Sequence, residues 1–261
     1  MTSRTIRTNG AELVVEEAGT DGPALVFLHY WGGSARTWDA VVARLPARLR
    51  KMVVNQRGWG GSRATGGRYD LEALADDVAA VVEDREIGRY VLVGHSMGGK
   101  VAQVLAGRRA QGLAGLVLVA PAPPTSMEVP AEVRTGMLAS YQAREGALQA
   151  LGVLAGSALG EAEREQVIAD TLRGEAGAKR YWPEQGMLVD VSAALSGATV
   201  PVEVLIAERD QVEREAVLRP TLSRFLPQAR FTIVPGSGHL VPIEAPEAVA
   251  SVCERMWGAL R

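Results

Sequence analysis

The stretch "YVLVGHSMGGKV", residues 90–101, runs from an apolar segment through glycines into a helical pattern. Two chemistries use a glycine-rich turn between a strand and a helix. One cradles a nucleotide phosphate on backbone N–H groups, and the other lifts a serine out of the sheet. Gly94-x-x-x-x-Gly99-Lys100 fits the phosphate loop up to its last position, where Val101 stands in place of the Ser or Thr that holds Mg²⁺. The next strand ends in "VLVAPAPP" and supplies no carboxylate for a metal, so nucleotide binding is excluded. Gly94-His95-Ser96-Met97-Gly98 fits the serine turn, and the amide of Met97 would open the helix beside any oxyanion formed at Ser96.

A serine hydroxyl needs a base, and the base needs an acid to orient it. The chain has three histidines. His29 ends a strand, and His95 precedes Ser96 on a strand where adjacent side chains point to opposite faces. Structural roles suit both. His239 lies in "VPGSGHLVPIEAPE", a Gly/Pro-rich loop after the last strand, from which an imidazole reaches over the sheet. Between serine and histidine, "VLIAERDQVE" offers Asp210 just past a buried strand, with Glu208 as the competitor nearer the strand end. Ser96, Asp210 and His239 each follow a strand of their own. Ligands of parallel sheets bind at that rim.

These positions require a sheet to hold them. "AELVVEEAG" alternates after a turn at Asn9-Gly10, so residues 3–18 read as an antiparallel hairpin. Runs at 24–29, 51–56, 90–95, 115–120, 202–207 and 230–235 are nearly all apolar, as strands buried on both faces are. Helical patterns fall between them, at 71–82 behind an N-cap at Asp70, and at 100–109, 213–226 and 246–260. The expectation is an α/β protein with eight strands in a mostly parallel sheet and helices on both faces. About eighty residues between Ala120 and Val202 break that rhythm, with helical patterns near 131–144, 161–173 and 184–195. They read as an inserted helical lid over 121–199, the core being 1–120 and 200–261. Met137, Trp182, Met187 and Leu188 are among its apolar residues.

The chain has 261 residues, 47% hydrophobic and 22% charged, enough for one α/β core with an insertion. A net charge of −2 provides no basic surface for nucleic acid or for an anionic membrane. No run approaches the roughly 18–20 apolar residues that span a bilayer, and residues 1–17 lack a signal-peptide core, so a cytoplasmic protein is expected. Cys253 is the single cysteine, which excludes an intramolecular disulfide and a cysteine-based metal cluster. No cofactor and no metal are expected, and the expected partner is a small-molecule substrate.

With these residues in place the chain resembles the α/β-hydrolase superfamily over nearly all its length. The motifs "FLHYWGGS", "NQRGWGGS", "GHSMGG", "AERD" and "GSGHLVPIEAPE" stand in the family's order. The resemblance implies an α/β-hydrolase fold with Ser96 as nucleophile, His239 as base and Asp210 as acid. It also implies oxyanion donors at the Met97 amide and the Trp31 amide. Tyr30 stands where the family has glycine, which bears on the shape of the oxyanion loop, and Asn55 replaces an Asp at a structural turn. A serine nucleophile disfavours the dehalogenase and epoxide-hydrolase branches. What remains is a cofactor-free serine hydrolase for a small, fairly apolar ester, lactone or thioester. Similar folds cleave C–C bonds, make peracids as non-haem haloperoxidases, or release N-terminal residues from peptides; the lid lacks the acidic cluster that would hold an ammonium group. A reading of another class is a small-molecule receptor that retains the triad.

Overall fold

The computed structural model describes residues 1–195 and 197–260. Nine strands form one sheet: β1 (Thr2–Thr8), β2 (Ala11–Ala18), β3 (Asp21–Leu28), β4 (Leu49–Val54), β5 (Arg63–Ala64), β6 (Tyr90–His95), β7 (Leu113–Val119), β8 (Val202–Ala207) and β9 (Arg230–Val234). Their order is β1-β2-β4-β3-β6-β7-β8-β9, with the two-residue β5 on β2. β1 and β2 form the antiparallel hairpin, β2 runs antiparallel to β4, and every pairing from β4 to β9 is parallel. Eight of these strands are those read from the sequence; β5 is too short to leave a pattern.

Successive side chains of a strand alternate faces, and the core divides accordingly. Val26, Leu28, Leu92, Leu116, Leu118, Val204 and Ile206 point to one face, under α2 (Leu71–Asp84), α3 (Met97–Gly107) and α9 (Glu215–Phe225). Leu25, Phe27, Val91, Val93, Val117, Val119 and Leu205 point to the other, under α1 (Asp39–Arg44) and α11 (Pro246–Gly258). A one-turn helix, α10 (Val241–Glu244), leads into α11. Asp70 caps α2 as its position suggests, its Oδ1 accepting from the Ala73 N–H at 2.9 Å. α1 and the 3₁₀ turn Ala35–Trp38 were not legible as helices, because each is shorter than two turns.

The interval between β7 and β8 carries no strand among the described residues. It folds as α4 (Ala131–Ser140), α5 (Arg144–Leu154), α6 (Glu161–Arg173), α7 (Ala176–Glu184) and α8 (Ser192–Leu195). α6 has the expected bounds. The pattern at 131–144 ends earlier and is followed by α5, whose Gly146 and Gly152 and small buried face, Ala147 and Leu151, masked it. The single helix expected over 184–195 is instead the end of α7, a 3₁₀ turn at Gly186–Leu188 and the short α8. Its break falls at Gly186, where a Cβ would lie 2.7 Å from the Trp182 ring and 2.8 Å from that of Tyr181.

Two buried polar anchors tie the loops at the sheet's upper rim. Arg57 and Asp77, both 2% exposed, pair through Nε–Oδ2 at 2.6 Å and Nη2–Oδ1 at 2.7 Å, joining the loop after β4 to α2. Thr8 of β1 donates to the same carboxylate, and Arg57 Nη1 donates to the Arg68 carbonyl at 3.0 Å. His29, fully buried after β3, accepts the Gln56 N–H on Nε2 at 3.0 Å and donates Nδ1–H to the Tyr30 carbonyl at 2.7 Å. Burial pulls its imidazole down from 6.5 to about 4, against the opposing effect of the Tyr30 bond.

Both anchors have measurable consequences. Asp77→Ala leaves the Arg57 charge buried and unpaired, and urea unfolding should show a loss of about 3–5 kcal/mol; a loss within 0.5 kcal/mol, about the noise of a surface substitution, would contradict it. For His29 the folded state resists protonation between pH 6.5 and 4 while the unfolded chain accepts it. Stability is therefore full above about pH 6.5 and falls as pH drops through that window, by about 3 kcal/mol. His29→Gln should flatten this slope in pH-dependent urea titrations; an unchanged slope assigns it to other groups.

Candidate active site

β6 delivers the chain into a turn that only a crowded, glycine-lined junction accommodates. Ser96 has φ 51° and ψ −116°, a conformation that L-residues seldom adopt and that costs about 1–3 kcal/mol. The surroundings hold it. The Ser96 N–H donates to the Val119 carbonyl at 3.1 Å, and its carbonyl accepts from Lys100 and Ala122 at 3.1 Å each. A Cβ on Gly94 would lie 2.5 Å from the Gly98 carbonyl oxygen, and one on Gly98 would lie 2.4 Å from that of Leu28. Only hydrogen fits at either place. Met97 opens α3, and its N–H has no acceptor among the described residues.

Two other loops meet this turn. His239 follows β9, and its N–H donates to the Leu154 carbonyl at 2.7 Å. Its own carbonyl accepts from His95 Nε2–H at 2.7 Å, so the residue before Ser96 grips the backbone of His239. The His95 and His239 rings lie 5.1 Å apart. Burial, then the neighbouring His239, hold the His95 imidazole well below its ordinary range, so it stays neutral. His239 Nδ1–H donates to Asp210 Oδ2 at 2.8 Å with both side chains buried. The other oxygen, Oδ1, accepts the N–H groups of Val212 at 2.7 Å and Glu213 at 3.0 Å. Burial alone would raise the Asp210 carboxyl, but His239 and the two backbone donors outweigh it and hold the group below the ordinary carboxylate range. Glu208 is exposed, and its Oε2 accepts the Gly236 N–H at 2.8 Å. The bond to His239 is made by Asp210.

The loop after β3 completes the site. Trp31 is 6% exposed, and its backbone N–H, like that of Met97, has no acceptor among the described residues. Tyr30 is not accommodated as the family's glycine would be. Its ring packs with Leu151, Val167 and Leu240, and Gly33 gives way to it, since a Cβ there would lie 2.7 Å from the ring. Asn55 bridges loop to sheet, with Oδ1 accepting the Ala35 N–H at 2.7 Å and Nδ2 donating to the Val14 carbonyl at 3.0 Å.

Two further charged residues lie close by. Glu213, three positions past Asp210, is 6% exposed; burial, then the Asp210 charge, push its carboxyl well up, opposed by Lys100. Lys100, one turn beyond Ser96, is fully buried, and its Nζ donates to the Thr125 carbonyl at 3.1 Å. Burial pulls its ammonium down to about 8, against the charges of Glu213 and Asp190. Glu213 was passed over because a charged residue in isolation reads as surface, and Lys100 was read only as the end of a phosphate-loop pattern. Among the described residues no group of three or more His, Cys, Asp or Glu is arranged to hold a metal ion, and no helix is long and apolar enough to cross a membrane.

Comparison with known proteins agrees with the architecture. Residues 25–252 match the model of the alpha/beta hydrolase family. The chain is 30% identical over 257 residues to a pimeloyl-[acyl-carrier protein] methyl ester esterase of Nitrosomonas europaea, covering 92% of this chain and 98% of that one. Among solved structures, an esterase from Exiguobacterium antarcticum superposes with a TM-score of 0.89 at 20% identity, covering 98% and 100% of the two chains, which is a likeness of fold. A putative aryl esterase from Burkholderia cenocepacia gives a TM-score of 0.87 at 26% identity, covering 99% of each. With a sheet of this order, a strained serine between β6 and α3, and a family match across most of its length, the chain belongs to the alpha/beta hydrolase family of enzymes.

Proposed function

We propose that the protein is a cofactor-free serine hydrolase for a small, fairly apolar ester, lactone or thioester. Ser96 Oγ attacks the substrate carbonyl while His239 Nε2 takes its proton. Asp210 holds the imidazole in the Nδ1–H tautomer and stabilises the imidazolium without itself accepting the proton. The N–H groups of Met97 and Trp31 receive the oxyanion, the leaving group departs with the proton from His239, and water then releases the acyl group from Ser96. The observation that carries this reading is the His239–Asp210 hydrogen bond, brought from two separate loops to the turn that presents Ser96. Two unengaged backbone N–H groups beside a strained serine are what a developing negative charge requires.

Support for an ester comes from relatives named as esterases. Support for an apolar substrate comes from the insertion. We read 121–199 as a lid over the core of 1–120 and 200–261, and Tyr141, Tyr181, Trp182 and Met187 join the same apolar cluster as Trp31 and Met97. C–C hydrolysis and perhydrolysis would use the same residues; relatives named 2-(acetamidomethylene)succinate hydrolase and non-heme haloperoxidase are each 26% identical to this chain. A receptor would retain the residues and turn over at most very slowly.

A fluorophosphonate probe should label the protein at Ser96, and Ser96→Ala should abolish labelling along with several orders of magnitude in kcat on p-nitrophenyl esters. Label retained by the alanine variant would remove Ser96 from the role. Asp210→Asn should lower kcat by on the order of 10⁴, because it favours the wrong imidazole tautomer. Glu208→Gln should leave kcat within about twofold, since an exposed carboxylate on a loop amide contributes little. The reverse pattern would assign the acid to Glu208. Steady-state kinetics of both variants beside the parent, with esters, lactones and a C–C diketone as substrates, separates all these readings.

A further inference from the structure

Trp31 has three polar groups, and two of them are held by the insertion. Its carbonyl accepts the Tyr141 hydroxyl at 3.0 Å. Its indole Nε1–H donates to the Lys179 carbonyl at 3.2 Å. The indole also lies flat on the Tyr141 ring, centroids 3.8 Å apart and planes 10° from parallel. Only the backbone N–H is left without an acceptor among the described residues. The next residue makes room for this arrangement. Gly32 has φ 96°, and a Cβ there would lie 2.6 Å from the Tyr141 ring and 2.8 Å from its hydroxyl.

The grip continues along the loop. The Gly32 carbonyl accepts the Thr171 hydroxyl at 3.4 Å, and Ser34 Oγ–H donates to Asp170 Oδ2 at 2.8 Å. Arg36 pairs with the same carboxylate, and its carbonyl accepts from Gln166 Nε2–H at 3.0 Å. Tyr141 terminates α4, Asp170 and Thr171 belong to α6, and Lys179 belongs to α7. Three helices of the insertion thus hold residues 31–36. Tyr141 is 3% exposed, and burial pushes its phenol up, so it remains a donor across the working pH range.

We propose that Tyr141 is a positioning residue of the oxyanion hole. It fixes the Trp31 backbone by a hydrogen bond and a stacked ring so that the Trp31 N–H keeps a single direction. The insertion then contributes to the chemical step as well as to substrate choice. The proposal rests on the reading of Ser96 as nucleophile and Trp31 as oxyanion donor. A fixed N–H serves a developing oxyanion because it needs no reorganisation when charge appears. The same N–H does less for an uncharged ground-state carbonyl, so its misalignment acts on kcat more than on KM.

Tyr141→Phe keeps the ring and removes the donor. With ester substrates kcat should fall about 2- to 10-fold, the range of one hydrogen bond, while KM stays within about twofold. Affinity for a trifluoromethyl ketone, which forms a tetrahedral adduct on the serine, should weaken by the same factor, while affinity for the uncharged product alcohol stays constant. Thr171→Val removes the donor to the Gly32 carbonyl and should show the same split on a smaller scale; it carries the test if the Tyr141 variant folds poorly. Variants with parental kcat and ketone affinity overturn the positioning role alone, as does an equal loss of ketone and alcohol affinity. A parent protein that neither reacts with a fluorophosphonate nor binds the ketone overturns the nucleophile reading, and this proposal with it.

Discussion

The turn at Ser96 is the constraint around which the molecule is organised. A non-glycine residue at φ 51° persists only where the surroundings over-determine it. Here the restraint comes from the centre of the sheet. β6 lies between β3 and β7, the Ser96 N–H is tied to Val119 at the end of β7, and Gly98 abuts the carbonyls at the end of β3. Relaxing the turn would mean moving three parallel strands whose side chains are buried on both faces. The stiffness of the core is thereby transmitted to one side chain.

Around that turn, ionisable groups are kept in fixed states by what they touch. Asp210 stays ionised because His239 and two backbone N–H groups compensate its burial. His29 and His95 stay neutral because burial outweighs the backbone carbonyl that each ring N–H bonds. Three histidines and one sheet rim thus yield one imidazole paired with a carboxylate and two that act as backbone ties. Glu213 and Lys100 bring a second acid and a buried amine close to the same place, each pushed by burial toward its neutral form. Asp210, by contrast, is held below the ordinary carboxylate range.

The sheet and the pairing of Asp210 with His239 were legible in the sequence because each signal is local. A strand buried on both faces is an apolar run, a sharp strand-to-helix turn needs glycines, and a loop after a parallel strand opens at the rim. Glu208 and Asp210 could not be separated by spacing alone; the outward direction of Glu208 depends on its bond to Gly236, which no local pattern encodes. α5 and the broken end of α7 were hidden for a related reason. Their helical character rests on contacts with neighbours rather than on their own periodicity. Nothing in the spacing of Trp31, Tyr141 and Thr171 announces that they touch. Such contacts are made by folding, and the sequence marks them only by Gly32, whose missing side chain is the space another residue occupies.

One bond described above has a mechanical meaning. His95 and His239 are separated by 144 positions along the chain, yet a single 2.7 Å contact joins the ring of one to the backbone of the other. The turn at Ser96 and the loop at His239 therefore share a reference frame one side chain wide. The long detour between them is left out of that frame. The detour returns to His239 at two further points, the Leu154 carbonyl and the Asp210 carboxylate. This kinematic shortcut keeps the two backbones in register across that long stretch of chain.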